Sequence, residues 1–183
     1  MRSVGTFPVI RADELSAPIR EAVLSTVMDP DAEISMFDGL TFRFQENVEL
    51  KIANRMSTTL VLTRDGTLET GGPKDPLKIV GSAYREFPID DVEEFTKDRI
   101  MQTDHVEDIG DIEGEAVTIE GSPGYELIAT AKDSQTGIPM MLYLLVVARD
   151  DTYYLAQGLV GAEAAEKYMP EFLVIARSMT FVN

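Results

Sequence analysis

The apolar segment Pro139–Arg149, with the sequence PMMLYLLVVAR, constrains the fold more than any other part of the chain. Side chains of a β-strand alternate between its two sides. Here one side carries Met141, Tyr143, Leu145 and Val147, and the other carries Met140, Leu142, Leu144 and Val146. Because both sides are apolar, the segment is predicted to be a central strand of a sheet that is covered above and below. The apolar run is also shorter than the roughly 20 residues that a helix needs to cross a bilayer.

Alternating and β-branched segments predict further strands around this one. Segments 125–132 and 152–159 flank it, and the turn-like links at 133–137 and 150–151 make the three an antiparallel meander. Upstream, strands are predicted at 48–52, 56–64, 78–87 and 117–119. The Asp-Gly pair at 38–39 predicts a hairpin of 34–37 with 40–44.

Three helices are predicted from apolar residues that recur every three or four positions. The first covers 16–28, with Pro18 in its first turn and its end before Asp29-Pro30. The second begins at Asp90-Asp91, where an acidic cap satisfies free backbone amides. The third covers 163–179 and contains Pro170, which predicts a kink or the start of a second helical piece.

Together these elements predict an α+β fold. The short links between many strands favour a central antiparallel sheet, and the two-sided strand requires helices on both faces, which gives a three-layer α/β/α sandwich. With 183 residues, 44% of them hydrophobic, the chain is long enough for one sizeable core. We therefore expect a single domain at 34–183, preceded by an extension at 1–33 that carries one amphipathic helix.

The formal charge of the chain, −16 at pH 7, bears on its partners. Residues 90–120 contain 12 acidic side chains against Lys97 and Arg99. A surface of this sign repels phosphate backbones and anionic lipids, so neither nucleic acid binding nor membrane insertion is expected. A protein or a small ligand is the expected partner, although the charge also fits a surface that only keeps the protein in solution. The sequence does not determine the oligomeric state.

Residues 1–10 lack the basic and apolar regions of a secretory signal. The protein is therefore expected either in the cytoplasm or, after removal of a signal segment, outside it. The absence of cysteine excludes disulfides, thiol catalysis and cysteine-ligated metals, and it is compatible with both locations.

The sequence contains no motif of a catalytic site. His105 is the only histidine, and there is neither a Gly-x-Ser-x-Gly nucleophile elbow nor a glycine-rich phosphate-binding loop. We therefore assign no catalytic and no cofactor-binding residues. The sequence favours a protein that is not an enzyme without deciding the question.

The densest set of potential metal ligands is formed by Asp104, His105, Glu107 and Asp108. If this segment is extended, His105 and Glu107 share one face, and Asp104 and Asp108 share the other. One histidine with carboxylates could hold a divalent cation such as manganese, calcium or zinc. Acidic runs are also common on solvated surfaces, so both interpretations stay open.

Several segments of the C-terminal third form a recognisable pattern. They are Gly124-Tyr125-Glu126-Leu127, the apolar strand, the run 152–157, and the helix that ends in Ala176-Arg177-Ser178-Met179-Thr180-Phe181. In this order they resemble the PsbP-like proteins, a superfamily that also includes the bacterial DcrB-type proteins. The resemblance covers 34–182 in the order of its elements and is specific over 121–182. It implies an antiparallel sheet between helices and an accessory or binding role, often outside the cytoplasm, with no shared catalytic residues.

The expected function is therefore that of a non-enzymatic binding or accessory module. One alternative is a metal-assisted hydrolase that uses His105 with nearby carboxylates. The other is a structural or oligomerisation protein that docks a partner, or a second copy of the chain, through the helix at 16–28.

Overall fold

In the computed structural model, which describes residues 12–25, 35–69, 72–85 and 88–182, the apolar segment Pro139–Arg149 is an inner strand of a seven-stranded antiparallel sheet. The elements in chain order are α1 (Ala12–Leu24), β1 (Phe42–Arg43), β2 (Lys51–Met56), β3 (Thr59–Thr63), β4 (Leu77–Tyr84), α2 (Val92–Ile100), β5 (Val106–Ile119), β6 (Ser122–Asp133), β7 (Pro139–Arg149), β8 (Thr152–Gly161), a 3-10 turn (Ala162–Ala164), α3 (Ala165–Arg177) and β9 (Thr180–Phe181). The predicted α+β class is confirmed.

The sheet has the strand order β2-β3-β4-β8-β7-β6-β5, and every neighbouring pair is antiparallel. The predicted meander is present, because β6, β7 and β8 are neighbours in both sequence and space. β7 has a hydrogen-bonded neighbour on each side: Leu144 lies opposite Leu127 of β6 and Gln157 of β8. β1 and β9 form a separate two-stranded pair.

The alternation along β7 divides the core into two clusters. On one side, Leu142, Leu144 and Val146 pack in a cluster with Ile100 of α2. On the other side, the buried side chains form the second cluster with α3; its members from these two elements are Tyr143, Leu145, Val147, Tyr168, Met169, Phe172, Ile175 and Ala176. Alternate side chains of β7 therefore meet a helix on each side of the strand, as the two-sided apolar pattern requires.

The start of α2 follows the prediction from its acidic cap. The side chain of Asp91 accepts a hydrogen bond from the backbone N–H of Glu94 at 2.9 Å. Glu93 and Glu94 lie in the first turn and Lys97 and Arg99 in the last, so both ends of the helix have charges that complement its dipole.

The predicted position of Pro18 in the first turn of a helix is wrong. α1 begins at Ala12 rather than at 16, so Pro18 lies inside the helix, where its nitrogen has no hydrogen to donate. α3 continues through Pro170 as one helix, so the second helical piece predicted as one of two outcomes there is absent, and the kink stays a prediction. Residues 26–28 of the first predicted helix lie outside the described residues.

The predicted hairpin around residues 38–39 is also wrong. The chain does turn here, with Gly39 at φ +72° and the N–H of Leu40 donating to the carbonyl of Phe37 at 3.0 Å. The segment after the turn, however, pairs with the end of the chain: Phe42 lies opposite Phe181. The aromatic side chains around this turn enter the α3-side core instead of alternating along a hairpin, and they are Phe37, Phe42 and Phe44.

By its internal contacts the chain forms two compact units, Met1–Ser35 and Met36–Asn183. The predicted boundary between residues 33 and 34 lies outside the described residues. None of the helices in the described ranges is long and apolar enough to span a membrane.

Candidate functional site

A cleft of roughly 370 Å³ lies at the end of the sheet where β4, β5 and β7 begin and β6 and β8 end. Its volume falls in the range of small-molecule sites, about 300–1,000 Å³. The described residues that line it are Gly72, Pro73, Asp75, Leu77, Asp104, His105, Val106, Asp133, Gln135, Met140 and Leu159. Two of the four predicted metal ligands, Asp104 and His105, are thus at one site.

Hydrogen bonds from two neighbouring elements hold the segment that carries His105. After α2, the hydroxyl of Thr103 accepts a hydrogen bond from Nε2 of Gln157 on β8 at 2.8 Å. The carbonyl of His105 accepts one from the N–H of Ser134 at 3.0 Å. His105 itself has a φ of +63°, the left-handed region that non-glycine residues seldom adopt. The backbone is therefore fixed beside the β6–β7 turn, and the exposed imidazole lies at the cleft.

Asp133 is held as a charged group on the same side of the cleft. Its Oδ1 accepts hydrogen bonds from the N–H of Thr136 at 2.8 Å, from the hydroxyl of Thr136 at 2.6 Å and from the N–H of Gln135 at 3.2 Å. These bonds, chiefly those of Thr136, lower the pKa of Asp133 below its ordinary value, and His105 contributes in the same direction. The carboxylate therefore serves both to build the turn and to place a negative charge at the cleft.

The remaining lining combines an apolar floor with further carboxylates. Leu77, Met140 and Leu159 supply the apolar part. Asp75 is paired with Nη1 of Arg64 at 2.9 Å, whereas the exposed Asp104 has no ion-pair partner among the described residues. No lysine or arginine is among the described lining residues. The cleft therefore joins apolar contact area to an excess of negative charge.

The structure does not bring all four predicted metal ligands together in one cluster. Asp108 pairs with Nζ of Lys132 at 2.8 Å, and Glu107 lies opposite Lys132 in the β5–β6 register. Within the described ranges, no group of three or more histidine, aspartate or glutamate side chains is placed to hold a metal ion. The metal site stays a prediction to which this geometry adds no support.

The reason lies in the backbone of this segment. Simple alternation requires an extended chain from 104 to 108, but β5 begins only at Val106 and both His105 and Asp108 have positive φ values. A shift of register between Glu107 and Gly110 interrupts the pairing with β6 as well. The sequence contained no signal of these irregularities. It also gave no sign that Asp75 and Asp133, both distant in sequence from His105, would line the same cleft.

A second set of ionisable groups, on the α3 side of the sheet, was not found from the sequence. Glu126 is only 4% exposed and accepts hydrogen bonds from the hydroxyl of Tyr143 and from Nε and Nη2 of Arg177. Nη2 of Arg177 also donates to Glu115 at 2.8 Å. The glutamate therefore lies between an inner phenol and an outer guanidinium.

Lys78 lies next to this network and is completely buried. Its Nζ is 4.4 Å from the ring centre of Tyr143 and 5.1 Å from that of Phe172, and it has no hydrogen-bond partner among the described residues. Burial lowers the pKa of Lys78 well below its ordinary value, although Glu126 acts in the opposite direction. Because Lys78 and Tyr143 are both closed to solvent, we interpret this network as part of the scaffold.

Comparisons with known proteins find similarity in fold. A scan against protein-family models gives no match, and neither does a search of curated proteins. LpqN of Mycobacterium tuberculosis, involved in cell envelope biogenesis, matches with a TM-score of 0.53 and 11% identity over 78% of this chain and 83% of LpqN. PA94 of Pseudomonas aeruginosa, a protein of unknown function, matches with a TM-score of 0.50 and 8% identity over 69% of this chain and 84% of PA94.

The matched structures also include CyanoP, the PsbP protein of Synechocystis sp. PCC 6803, with a TM-score of 0.43 and 11% identity over 84% of this chain and 99% of CyanoP. At 8–11% identity, the matches to LpqN and PA94 show a similar fold alone. Because a shared fold does not fix function, the function must be argued from the site.

Proposed function

We propose that the protein is a non-enzymatic binding or accessory module, and that the cleft beside His105 takes a cationic group carried on an apolar body. A lysine side chain of a partner protein and a small alkyl amine both have this chemistry. The observation that carries the proposal is the lining of the cleft, which combines an apolar floor with Asp75, Asp104 and Asp133 and has no lysine or arginine among its described residues.

Electrostatics supports a cation over an anion at this position. A cleft lined by charges of one sign concentrates ligands of the opposite sign, and the chain as a whole carries a charge of −16. Asp104 has no ion-pair partner among the described residues, so it can meet a ligand without breaking an existing ion pair. The apolar floor supplies the contact area that a charge alone does not.

The composition of the cleft gives less support to an enzyme. A covalent mechanism needs a nucleophile beside its base, and the described lining contains no serine, threonine or lysine. A metal-assisted hydrolase using His105 needs a ligand cluster that the described residues do not form. Binding therefore needs fewer additional assumptions than catalysis.

Titration of the full chain with n-hexylamine, followed by amide NMR shifts, tests the proposal. We expect shifts at residues 104–106, 133–137 and 159, weaker shifts with n-hexanol, and none with hexanoate. Asp104→Asn should weaken the binding of hexylamine by about fivefold, since one charge contact is lost. Asp90→Asn is the matched control, because it makes the same charge change at the exposed entry of α2.

Equal binding of hexanoate and hexylamine would contradict the cationic ligand, and so would equal losses in Asp104→Asn and Asp90→Asn. A peptide with a central Leu-Lys pair separates the two sources of the cation. Tighter binding of the peptide than of hexylamine indicates a protein partner, whereas tighter binding of the amine indicates a small ligand.

A further inference from the structure

A second pocket, between α2 and the strand β8, has the opposite character to the cleft. It has a volume of roughly 440 Å³ and is lined by Arg85, Phe95, Asp98, Arg99, Gln102 and Tyr153. We propose that this pocket binds a small aromatic carboxylate, with its carboxylate at the two arginines and its ring against Phe95 and Tyr153. This binding is independent of the cationic ligand proposed for the cleft.

The first argument is that the two guanidinium groups lack acceptors. Arg85 and Arg99 have no hydrogen-bond or ion-pair partner for their side chains among the described residues, although both are partly buried. Other arginines of the same unit do have one: Arg64 and Arg177 pair with carboxylates, and Arg55 donates to backbone carbonyls. Each guanidinium has five N–H donors in a planar fork that matches a carboxylate. Two such unused forks at one pocket indicate an anionic ligand.

The second argument is the aromatic wall of the pocket. The guanidinium of Arg85 lies 4.7 Å from the ring centre of Phe95, and the rings of Phe95 and Tyr153 meet edge to face at 5.1 Å. This contact with Phe95 holds the guanidinium of Arg85 at the pocket. A flat ring attached to the anion can therefore contact these side chains while its carboxylate reaches the arginines.

The third argument concerns the position of the backbone around the pocket. The N–H of Arg85 donates to the carbonyl of Asp151 at 2.7 Å, directly after β4. Tyr153 lies opposite Ala83 in the β4–β8 register, and the buried Ile100 fixes α2 on the same side of the sheet. These contacts hold the lining in place, so little ordering is needed when a ligand binds.

The charge of the pocket favours a carboxylate over a phosphate. Asp98 also lines it, so the two arginines and one aspartate sum to +1. A monoanion neutralises this charge, whereas a phosphate monoester brings a second negative charge close to Asp98. Gln102 offers an amide as a further hydrogen-bond donor.

Titration of the full chain with benzoate, phenyl phosphate, benzyl alcohol and benzylamine tests this proposal by amide NMR. We expect benzoate to shift the amide signals of residues 95–102 and 151–154, and phenyl phosphate to bind more weakly. Benzyl alcohol, which is uncharged, and benzylamine, which is cationic, should leave these signals unchanged. Arg99→Gln should weaken benzoate binding by about tenfold, because a charge-assisted pair is lost. Arg20→Gln, an equal charge change in α1, should leave it unchanged.

Variants of Arg85 separate the contribution of its planar donors from that of its positive charge. Arg85→Lys keeps the positive charge but removes the planar donors. We therefore expect its affinity for benzoate to lie between that of the wild type and that of Arg85→Gln. The melting temperature of each variant is measured first, and Arg99→Gln carries the test if an Arg85 variant does not fold. Equal binding of benzyl alcohol and benzoate would overturn the proposal. So would unchanged affinity in Arg99→Gln, or benzoate shifts confined to residues 104–106 and 133–137.

Discussion

On the α3 side of the sheet, Glu126 accepts hydrogen bonds from Tyr143 and Arg177. On the α2 side, Arg85 and Arg99 line a pocket, and their side chains form no hydrogen bond or ion pair with the described residues. Both sides contain ionisable groups within a largely apolar layer. The difference is that Glu126 and Arg177 on the α3 side pair with each other inside the chain, whereas the two guanidinium groups on the α2 side are left for a ligand outside it. Buried charges with partners thus indicate a role in the fold, whereas accessible charges without partners indicate a ligand site.

The first test of this difference removes Glu126, the central hydrogen-bond acceptor of the α3 side. Glu126→Gln keeps the volume of the side chain but loses the charge that Arg177 and Lys78 face. Removing one member of a buried ion pair costs about 3–5 kcal/mol. We expect about 3 kcal/mol in the free energy of unfolding, near the low end, because the side chain of Arg177 is 47% exposed and can be hydrated. Urea unfolding measures the change.

Glu115→Gln provides the control for this experiment. Glu115 pairs with the same guanidinium, but its side chain is 67% exposed. Exposed pairs contribute about 1 kcal/mol or less, so we expect a small loss in this variant. Equal losses in the two variants would show that burial does not distinguish the inner pair from the outer one.

The second prediction concerns the close approach of α3 to β8 at Gly158. A Cβ atom at this position would lie 2.4–2.7 Å from three ring carbons of Phe172. Gly158→Ala should therefore displace Phe172 from its position over Lys78, at a cost of about 2 kcal/mol, as in other overpacked cores. Gly110→Ala is the control, because its nearest neighbour is 3.9 Å away. Thermal unfolding of both variants gives the comparison, and a neutral Gly158→Ala would show that the α3 side is loosely packed.

Much of the fold could be predicted from the sequence because it depends on local pattern. Alternation along β7 requires cover on both sides, and the acidic cap at Asp91 marks the start of α2. The pairing of β1 with β9 could not be predicted in this way. It joins residues about 140 positions apart in the chain, as Phe42 with Phe181, and local turn signals at Asp38-Gly39 favour a nearer partner.

The candidate site was predictable only in part, for a related reason. His105 and Asp104 stood out by residue type, but Asp133 reaches the cleft through the register of β5 with β6, which pairs it with Val106. Burial of Lys78 and Glu126 was equally hidden, since charged residues are usually exposed. Lys78 lies against the rings of Tyr143 and Phe172, and Glu126 bonds to Tyr143 and Arg177, all of which come from other elements. Functional groups that contacts between distant parts of the chain bring together cannot be recognised from the local sequence.

The third prediction addresses Lys78, whose Nζ is the one buried side-chain nitrogen or oxygen without a hydrogen-bond partner among the described residues. Lys78→Met replaces a buried amine with an apolar side chain of similar length. A buried donor without a partner costs about 1–3 kcal/mol, and the attraction of Glu126 offsets part of this, so we expect a gain of about 1 kcal/mol in the free energy of unfolding near pH 7. A clear loss would show that the amine stabilises the fold through the rings of Tyr143 and Phe172.

The pH dependence of the same variant identifies the cause. Burial lowers the pKa of Lys78 in the folded chain, while the unfolded chain keeps an ordinary value of 10.5. Between these two pKa values the unfolded chain binds more protons, so the stability of the wild type rises with pH across this window. The advantage of Lys78→Met should therefore shrink between about pH 7 and about pH 9.5. A constant advantage over this range would mean that the pKa of Lys78 is not lowered.

The smallest effect is expected on the α2 side, where Arg99→Gln should change the free energy of unfolding by less than about 0.5 kcal/mol. Arg99 has no acceptor to lose among the described residues, and its position in the last turn of α2 contributes a few tenths of a kcal/mol through the helix dipole. Glu126→Gln removes one buried charge and Arg99→Gln removes one half-buried charge, so urea unfolding of the two variants compares the two sides. A loss of several kcal/mol in Arg99→Gln would mean that this arginine belongs to the scaffold, and the distinction between the two sides would not hold.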